Sequence, residues 1–526
     1  VAFAMFCSGS SLGRVLFGLD LVLTYAGIAG ALDLANALMH RHMGFSYSLH
    51  LSAIISGLIG FAIYSFKLLE RGRMPARIRI ERRPTNQSRS VIRLVVTLIV
   101  AAATSAFCSG LDLPIVEWMR RNTLLGGIGP GVFLFLPVLF GQLYVLAILD
   151  VWLAKKQPFT PPVSIIVPAH NESYIIVKTI EAMDKAAAHY GGPVHILILN
   201  NNSTDDTEAL AAEALTNCSS ATGEVLNIPT PGKSHALNAG LDAVKTEFFV
   251  RVDADTLLGE DNLTRAMPYF TDPAVGVVGG VPIPPGGALF DRARLLEVLV
   301  KHGFYSVAMG AVQGVVGIPG MFVVYRTEHP RYLGGFVEGM NGEDTDISLR
   351  VGELGFHSVV DPKIRYISEV PASYTHMREQ RMRWFRSIYH ISSRCRDLIY
   401  ADRLSLRGKI ILPYMLVNSG RRAMLVPLIL FGCMEYFAGF NPGSPIIWQS
   451  IVAVVVGAPA IVAVVSALLN GIPRGILALP EYLIFRILRA YFTLESMLSI
   501  LIRNDGENIE IAVKRDIVPN KPRKIA

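Results

Sequence analysis

The chain has 526 residues, 51% of them apolar and only 17% charged, and its mean hydropathy is positive. That balance excludes an ordinary soluble enzyme of this length and predicts an integral membrane protein. The formal net charge of +7 collects in loops beside apolar runs, which suits anionic lipid rather than nucleic acid, so a lipid bilayer and no nucleic acid is the expected partner.

Apolar runs long enough to cross a hydrocarbon core, about 20 helical residues, predict six spans, at 14–38, 48–69, 92–112, 131–153, 423–440 and 446–469. Asp20, Asp33 and Glu435 fall in or near them. A charge there faces protein or water, or snorkels from a helix end. No secretory leader pattern opens the sequence, so the first span is expected to direct insertion. The loop after the second span carries Arg71, Arg73, Arg77, Arg79, Arg82, Arg83 and Arg89, whereas the first and third loops carry Arg41 and the pair Arg120 and Arg121. By the positive-inside rule the arginine-rich loop, and with it Lys155, Lys156 and the region 154–405, is cytoplasmic.

Between the apolar blocks the pattern alternates strand and helix. Residues 163–168 and 195–199 read as short apolar strands around a helical stretch at 173–189, and 248–252 as a strand that runs into Asp253. This predicts a mostly parallel sheet with ligands at the carboxyl ends of its strands, where the polar clusters 170–172, 200–202 and 253–255 stand.

The run 475–503 is interrupted by Glu481, Arg486, Arg489 and Glu495, while Ile484, Leu488 and Phe492, with Leu483, Ile487 and Tyr491, line up at helical spacing. It reads as an amphipathic interfacial helix, which keeps the basic tail in the cytoplasm. The expected division is a transmembrane region of about four helices (1–153), a cytosolic domain with interfacial helices (154–405), a transmembrane and interfacial region of two or three helices (406–505) and a basic tail (506–526). Five cysteines, Cys7, Cys108, Cys218, Cys395 and Cys433, show no Cys-x-x-Cys spacing and read as packed thiols.

Seven motifs follow one another in the central region. They are Pro168-Ala169-His170-Asn171-Glu172, Asn202-Ser203-Thr204-Asp205, Gly232-Lys233-Ser234-His235-Ala236-Leu237-Asn238, Asp253-Ala254-Asp255, Gly334-Gly335-Phe336, Gly342-Glu343-Asp344-Thr345-Asp346 and Gln380-Arg381-Met382-Arg383-Trp384. As an ordered set they resemble the processive family-2 glycosyltransferases of the cellulose, chitin, hyaluronan and poly-N-acetylglucosamine synthase group, over about 160–400. The resemblance implies an α/β GT-A domain inserted between transmembrane helices, a nucleotide-sugar donor, inversion at the anomeric carbon and processive addition. It also implies that Pro168, Glu172, Asn200, Asn202, Lys233 and Asp253 meet the donor, and that the second acid of the Glu-Asp pair, Asp344, is the base.

The residues support those roles on chemical grounds. Asp253 and Asp255, one residue apart at a strand end, both face the cleft if the chain stays extended, and suit Mg²⁺ or Mn²⁺ bridging to a diphosphate. Direct displacement needs one carboxylate to take a proton, and crowding among Glu343, Asp344 and Asp346 raises proton affinity; acids at a helix start also complement its dipole. Helical spacing puts Gln380, Arg383 and Trp384 on one face, for a diphosphate and a stacked acceptor sugar. Arg378, Arg381 and Arg386 on the same helix read as a basic lipid-facing set. His170, His235 and His376 lack metal-ligand spacing and read as packing or diphosphate contacts.

Three departures narrow the expectation. Asn200-Asn201 stand where the family has aspartates, although an asparagine carbonyl still accepts from uracil N3. No cyclic-dinucleotide module is read after the last apolar run, and the Phe-x-Val-Thr-x-Lys gating pattern is only echoed at 509–514. The expected function is a multi-pass enzyme of the plasma (bacterial inner) membrane that polymerises a β-linked polysaccharide from a UDP-sugar and passes it across the bilayer, with accessory secretion subunits or a homo-oligomer as partners. The alternatives are a transferase adding one sugar to a lipid carrier, and a transporter or scaffold with a degenerate domain.

Overall fold

The computed structural model describes residues 11–44, 87–114, 130–153, 157–371, 373–400, 405–423, 425–438 and 452–498, with 116–117 and scattered positions between 46 and 77. Helices α1 (Ser11–Met43), α2 (Ser88–Ser109) and α3 (Pro130–Leu153) contain stretches long and apolar enough to cross a membrane. They match the first, third and fourth expected spans; most of 48–69 lies outside the described residues. Asp33 on α1 accepts a hydrogen bond from Ser52 Oγ at 2.9 Å, so that charge faces protein. Arg93 of α2 forks onto Asp150 of α3 at 2.5 and 2.8 Å.

The central region is built on β1 (Val163–Ala169), α4 (Ile176–Tyr190), β2 (Val194–Asn200), α5 (Thr207–Thr216), β3 (Thr222–Asn227), α6 (Lys233–Ala243), β4 (Phe248–Val252), β5 (Thr256–Leu257), β6 (Val275–Ile283), α7 (Asp291–Val298), β7 (Phe322–Arg326), α8 (Glu343–Glu353) and β8 (His357–Ser368). The strands form one sheet in the order β3-β2-β1-β4-β7-β6-β8-β5. Its first four are mutually parallel, as expected. The sheet is mostly parallel but mixed: β6 and β8 are parallel to each other and share the direction of the first four, whereas β7 runs antiparallel to β4 and β6, and β5 to β8. A run buried on both faces, such as 322–325, carries no periodicity that encodes its direction.

Two apolar layers cover the sheet. Ile165, Val167, Ile196, Val250 and Phe322 pack with Ile176, Ile180 and Met183 of α4 on one face. On the other, Ile166, Leu197, Phe249 and Tyr325 meet Leu237 of α6 and also Leu143 and Tyr144 of α3. The middle of α3 therefore packs into the core of the α/β region, while its end, at Trp152 and Leu153, is exposed. Tyr144 stacks on Phe304 at 5.5 Å, in the π-helical segment Leu299–Ser306 that prolongs α7.

Among the described residues the longer helices that follow are α9 (Tyr374–Arg394), α10 (Leu412–Ala423), α11 (Leu425–Ala438), α12 (Ala458–Leu469) and α13 (Leu479–Leu498). Helix α11 covers 14 residues of the expected span 423–440, and 439–451 lies outside the described residues. Helix α13 is amphipathic, but its faces differ from the sequence reading. Phe492 is buried against Tyr374, whereas Ile484, Ile487 and Tyr491 are exposed, and the charged positions turn inward, Glu495 to Arg378 and Arg489 to Glu297. Of the arginine-rich loop, residues 74–77 are described, and they lie on the α/β region. Arg77 pairs with Glu353 at 3.1 Å and Asp397 at 2.5 Å, and Arg394 donates to the carbonyls of Pro75 and Ala76.

Candidate active site

The sequence motifs interlock at the carboxyl ends of β1, β2 and β4. Asn171 and Asn202 both adopt left-handed backbone, with φ of 57° and 56°, a conformation asparagine tolerates better than most residues. Between them the two loops are laced: Asn171 N donates to Ser203 Oγ (3.1 Å), Thr204 N to Asn171 Oδ1 (2.8 Å) and Glu172 N to Thr207 Oγ1 (2.8 Å). Asn238 pins the Gly-Gly-Phe turn, accepting from Phe336 N at 2.7 Å and donating to Phe336 O at 3.0 Å. Several motif residues therefore shape the cleft rather than line it.

Asn200 and Asn201 are also part of this frame, with 5% and 6% exposure. The Asn200 amide donates to Glu208 Oε2 and Asn227 Oδ1 at 3.2 and 2.8 Å, which turns its carbonyl toward Ser203 N. Asn201 spends both ends of its amide on Thr230 O and Gly232 N. Glu208 and Asn227 were not singled out by the sequence reading; a lone glutamate in a helix and an asparagine at a strand end gave no signal. His170 Nδ1 lies 2.8 Å from Asn201 O and His235 Nδ1 lies 3.1 Å from Glu338 Oε1, so both rings have protein partners.

The acids gather around one buried cation. Arg251, in the middle of β4 and 1% exposed, reaches Glu343 Oε1 at 2.8 Å and lies 3.7 Å from Asp253 Oδ1. Lys233 Nζ stands 2.7 Å from the same Asp253 oxygen. Arg251 thus joins the Asp-x-Asp after β4 to the Glu-Asp pair that starts α8. Its place in an otherwise apolar strand, Phe248-Phe249-Val250-Arg251-Val252, was the available sequence signal. Gly320 leaves room for it: a Cβ there would come 2.4 Å from the guanidinium.

Asp344 is held by two backbone donors, Thr345 N to Oδ1 at 2.6 Å and Gly320 N to Oδ2 at 3.1 Å. Burial, and then the neighbouring Glu343 carboxylate, push the Asp344 carboxyl above its usual range, against the pull of Arg251. Glu343 goes the other way. Burial would raise it, but Arg251 and Lys233 outweigh that and hold it below the usual range. The two adjacent acids are therefore separated into a proton-seeking member and an ionised one. Asp346, expected as the structural acid, is fully buried, with Arg394 and Arg350 on its two oxygens.

Asp255 and Glu172 form a second strained group. Burial and then Asp253 push Asp255 up to about 7, with Lys233 opposing. Burial and then Asp255 push Glu172 up to about 8. Among the described residues no three His, Cys, Asp or Glu side chains form a closed metal cage. The open pair Asp253 and Asp255 fits a hard cation that takes its remaining oxygens from a diphosphate and water, and the repulsion among these carboxylates is what such a cation would relieve.

Helix α9 packs onto the same corner. Gly342, at φ +92°, precedes α8, and a Cβ on it would meet Ser387 Cβ at 2.8 Å and Ile391 Cδ1 at 2.9 Å. Ser387 in turn donates to Trp384 O. Arg383 is exposed, Trp384 half-buried and Gln380 half-buried, on one face as expected. Arg381 is not lipid-facing. It is 3% exposed and forks onto Glu297 of α7, with its guanidinium 4.7 Å from the Trp384 ring centre. Arg378 likewise pairs with Glu495 rather than with lipid. Helical spacing groups these arginines by face but does not reveal a partner from elsewhere in the chain.

Residues 161–387 match the model of the family described as "Glycosyltransferase like family 2". The chain carries a family-2 glycosyltransferase domain. The glycosyltransferase domain has the GT-A fold, and its mixed sheet is the arrangement described above. A probable glycosyltransferase, YdaM, of Bacillus subtilis (strain 168) is 27% identical over 243 residues, 44% of this chain and 56% of that protein. A poly-beta-1,6-N-acetyl-D-glucosamine synthase of Staphylococcus epidermidis is 21% identical over 266 residues, 48% of this chain and 63% of that one. The chain thus spans about three fifths of the length of these curated relatives. A mannosyltransferase, PcManGT, of Pyrobaculum calidifontis, solved in complex with GDP-Man and Mn²⁺, aligns with a TM-score of 0.46 at 18% identity, over 74% of this chain and 99% of that one.

Proposed function

We propose that the chain is an inverting, processive glycosyltransferase of the membrane that extends a β-linked polysaccharide from a UDP-sugar and passes the product through its own spans. The observation that carries the reading is Arg251, which gathers Asp253, Glu343 and, through Glu343, Asp344 at one cleft beside the helix that bears Trp384. The relatives named for N-acetylglucosamine polymer synthesis make UDP-N-acetylglucosamine the first donor to test. The domain division is the one expected from the sequence, with the glycosyltransferase domain and loop 74–77 on the same, cytoplasmic side of the plasma membrane; the Arg77–Glu353 contact supports that placement.

In this reading Asp344 takes the proton from the acceptor hydroxyl as its oxygen attacks the anomeric carbon and the bond from that carbon to the donor phosphate breaks. Glu343, kept ionised by Arg251, holds Asp344 in its more basic state. Lys233, Glu172, Pro168 and Asn202 border the donor, and Arg383 and Gln380 face its diphosphate. Asp253 and Asp255 hold Mg²⁺ or Mn²⁺, which when bound supplies positive charge beside the leaving diphosphate. Trp384 presents an apolar face to the acceptor sugar.

Membranes containing the chain, incubated with labelled UDP-sugars and Mg²⁺ or Mn²⁺, test the proposal by the size of the product. A ladder of long chains is expected. One sugar on an extractable lipid would replace polymerisation by single transfer, and no transfer from any donor would leave a scaffold.

A further inference from the structure

The Gln-x-x-Arg-Trp motif names Trp384 but not what holds it. Around its ring stand three cations: Arg381, Arg294 and Lys301, at 4.7, 5.4 and 5.5 Å from the ring centre. Two of the three are fixed by one carboxylate. Glu297, on α7 and 2% exposed, accepts from Arg381 Nη1 and Nη2 at 2.7 and 2.6 Å and pairs with Arg294. A third arginine, Arg489, reaches it from α13 at 2.5 Å.

We infer that Glu297 is a positioning residue for Trp384, setting the plane and depth of the indole through Arg381 and Arg294 and locking α9 to α7 and α13. The inference rests on the proposal that Trp384 receives the acceptor sugar. Its physical basis is the cost of the arrangement. A buried ion cluster is often no more stable than an apolar one of the same shape, so its use here is better explained by geometry than by stability. A bidentate guanidinium has one orientation on its carboxylate, and a cation over an aromatic face fixes the ring as well. Burial alone would raise the Glu297 carboxyl, but Arg381, Arg294 and Arg489 hold it well below the carboxylate range, so the anchor stays charged. Arg383, on the same helix turn, is exposed and free to face a different group from Arg381.

The test uses the full chain in detergent or nanodiscs, with Trp118, Trp152 and Trp448 replaced by phenylalanine so that Trp384 is the sole tryptophan of the four. Glu297→Gln is expected to raise the acrylamide quenching constant of Trp384 at least twofold, a readout that needs no substrate. With UDP-N-acetylglucosamine and chitotetraose the same variant is expected to raise the acceptor KM tenfold or more while the donor KM stays within twofold. Because Glu297→Gln strands three buried arginines, the paired Glu297→Met/Arg381→Met variant, which leaves no charge of that pair behind, is measured beside it and is expected to show the same KM split. Unchanged quenching in either folded variant overturns the inference. If Trp384→Ala raises the acceptor KM and the Glu297 variants do not, the positioning role alone falls. If Trp384→Ala leaves acceptor use intact, the acceptor platform and the inference fall together.

Discussion

Replacing Asp344 by asparagine separates a structural loss from a chemical one. The carboxylate accepts from Thr345 N at 2.6 Å and from Gly320 N at 3.1 Å. An amide keeps one oxygen, which satisfies the shorter contact, and turns its NH2 toward Gly320 N–H. The structural cost is then one backbone donor, Gly320 N–H, left unsatisfied, about 1–3 kcal/mol. Loss of a general base lowers the rate by about 10²–10⁴, equal to about 2.7–5.4 kcal/mol at about 1.36 kcal/mol per factor of ten. The chemical term is the larger over most of these two ranges, so kcat is expected to fall at least a hundredfold while UDP affinity in Mg²⁺ or Mn²⁺ stays within a few-fold. Initial rates with saturating donor, beside calorimetric titration of UDP, measure the two. A rate loss under tenfold, or a parallel collapse of UDP binding, refutes the assignment. In the unaltered enzyme the rate should also fall toward acid, because the base works only when deprotonated and its carboxyl lies above the usual range.

Arg251→Met removes the shared cation while Glu343 stays buried, and breaking a buried pair costs about 3–5 kcal/mol; a lower thermal midpoint and loss of transfer are expected, and retained activity would remove Arg251 from the site. Asp255 and Glu172 have folded pKa values raised to about 7 and about 8, so the folded chain holds protons that the unfolded chain releases. Without a divalent cation, stability is therefore expected to fall as pH rises from the ordinary carboxylate range through 8, and Mn²⁺ to flatten that slope; melting curves with EDTA or Mn²⁺ at pH 5 and 8 measure it. Gly342→Ala forces a Cβ into Ser387 at φ +92°, a strain of about 1–3 kcal/mol. Reduced transfer with a smaller change in UDP affinity is expected, since α8 and α9 separate at Asp344; full activity would show that their contact is not needed.

Much of the donor half was legible because buried parallel strands read as short apolar runs that end in polar clusters. The strands at 163–168, 195–199 and 248–252 were found almost residue for residue, as was the adjacency of the motifs that follow them. Strand direction past β4 was not legible, since a doubly buried strand such as β7 looks the same both ways. Arg381 and Arg251 illustrate a second limit. Each was visible as a basic residue, one on an amphipathic helix and one in an apolar strand, but their partners Glu297 and Glu343 lie 84 and 92 positions away. Local spacing carries no information about such pairs. The asparagines at 200 and 201 show a third limit, because their amide groups are consumed by neighbours that a base contact would have to displace.

The ion pairs that brace the cleft cross the limits of the family match at 161–387. Arg489 on Glu297, Arg394 on Asp346 and Arg77 on Glu353 all enter from outside it. A fragment trimmed to those limits would keep every motif, together with Arg294 and Arg381 on Glu297 and Arg350 on Asp346, yet lose one arginine from each of three interior carboxylates. Such a fragment should be less stable than the whole chain, and adding back 388–498 alone would still lack Arg77, which enters from the segment that precedes α2. Recombinant work on this protein is best planned around the whole polypeptide.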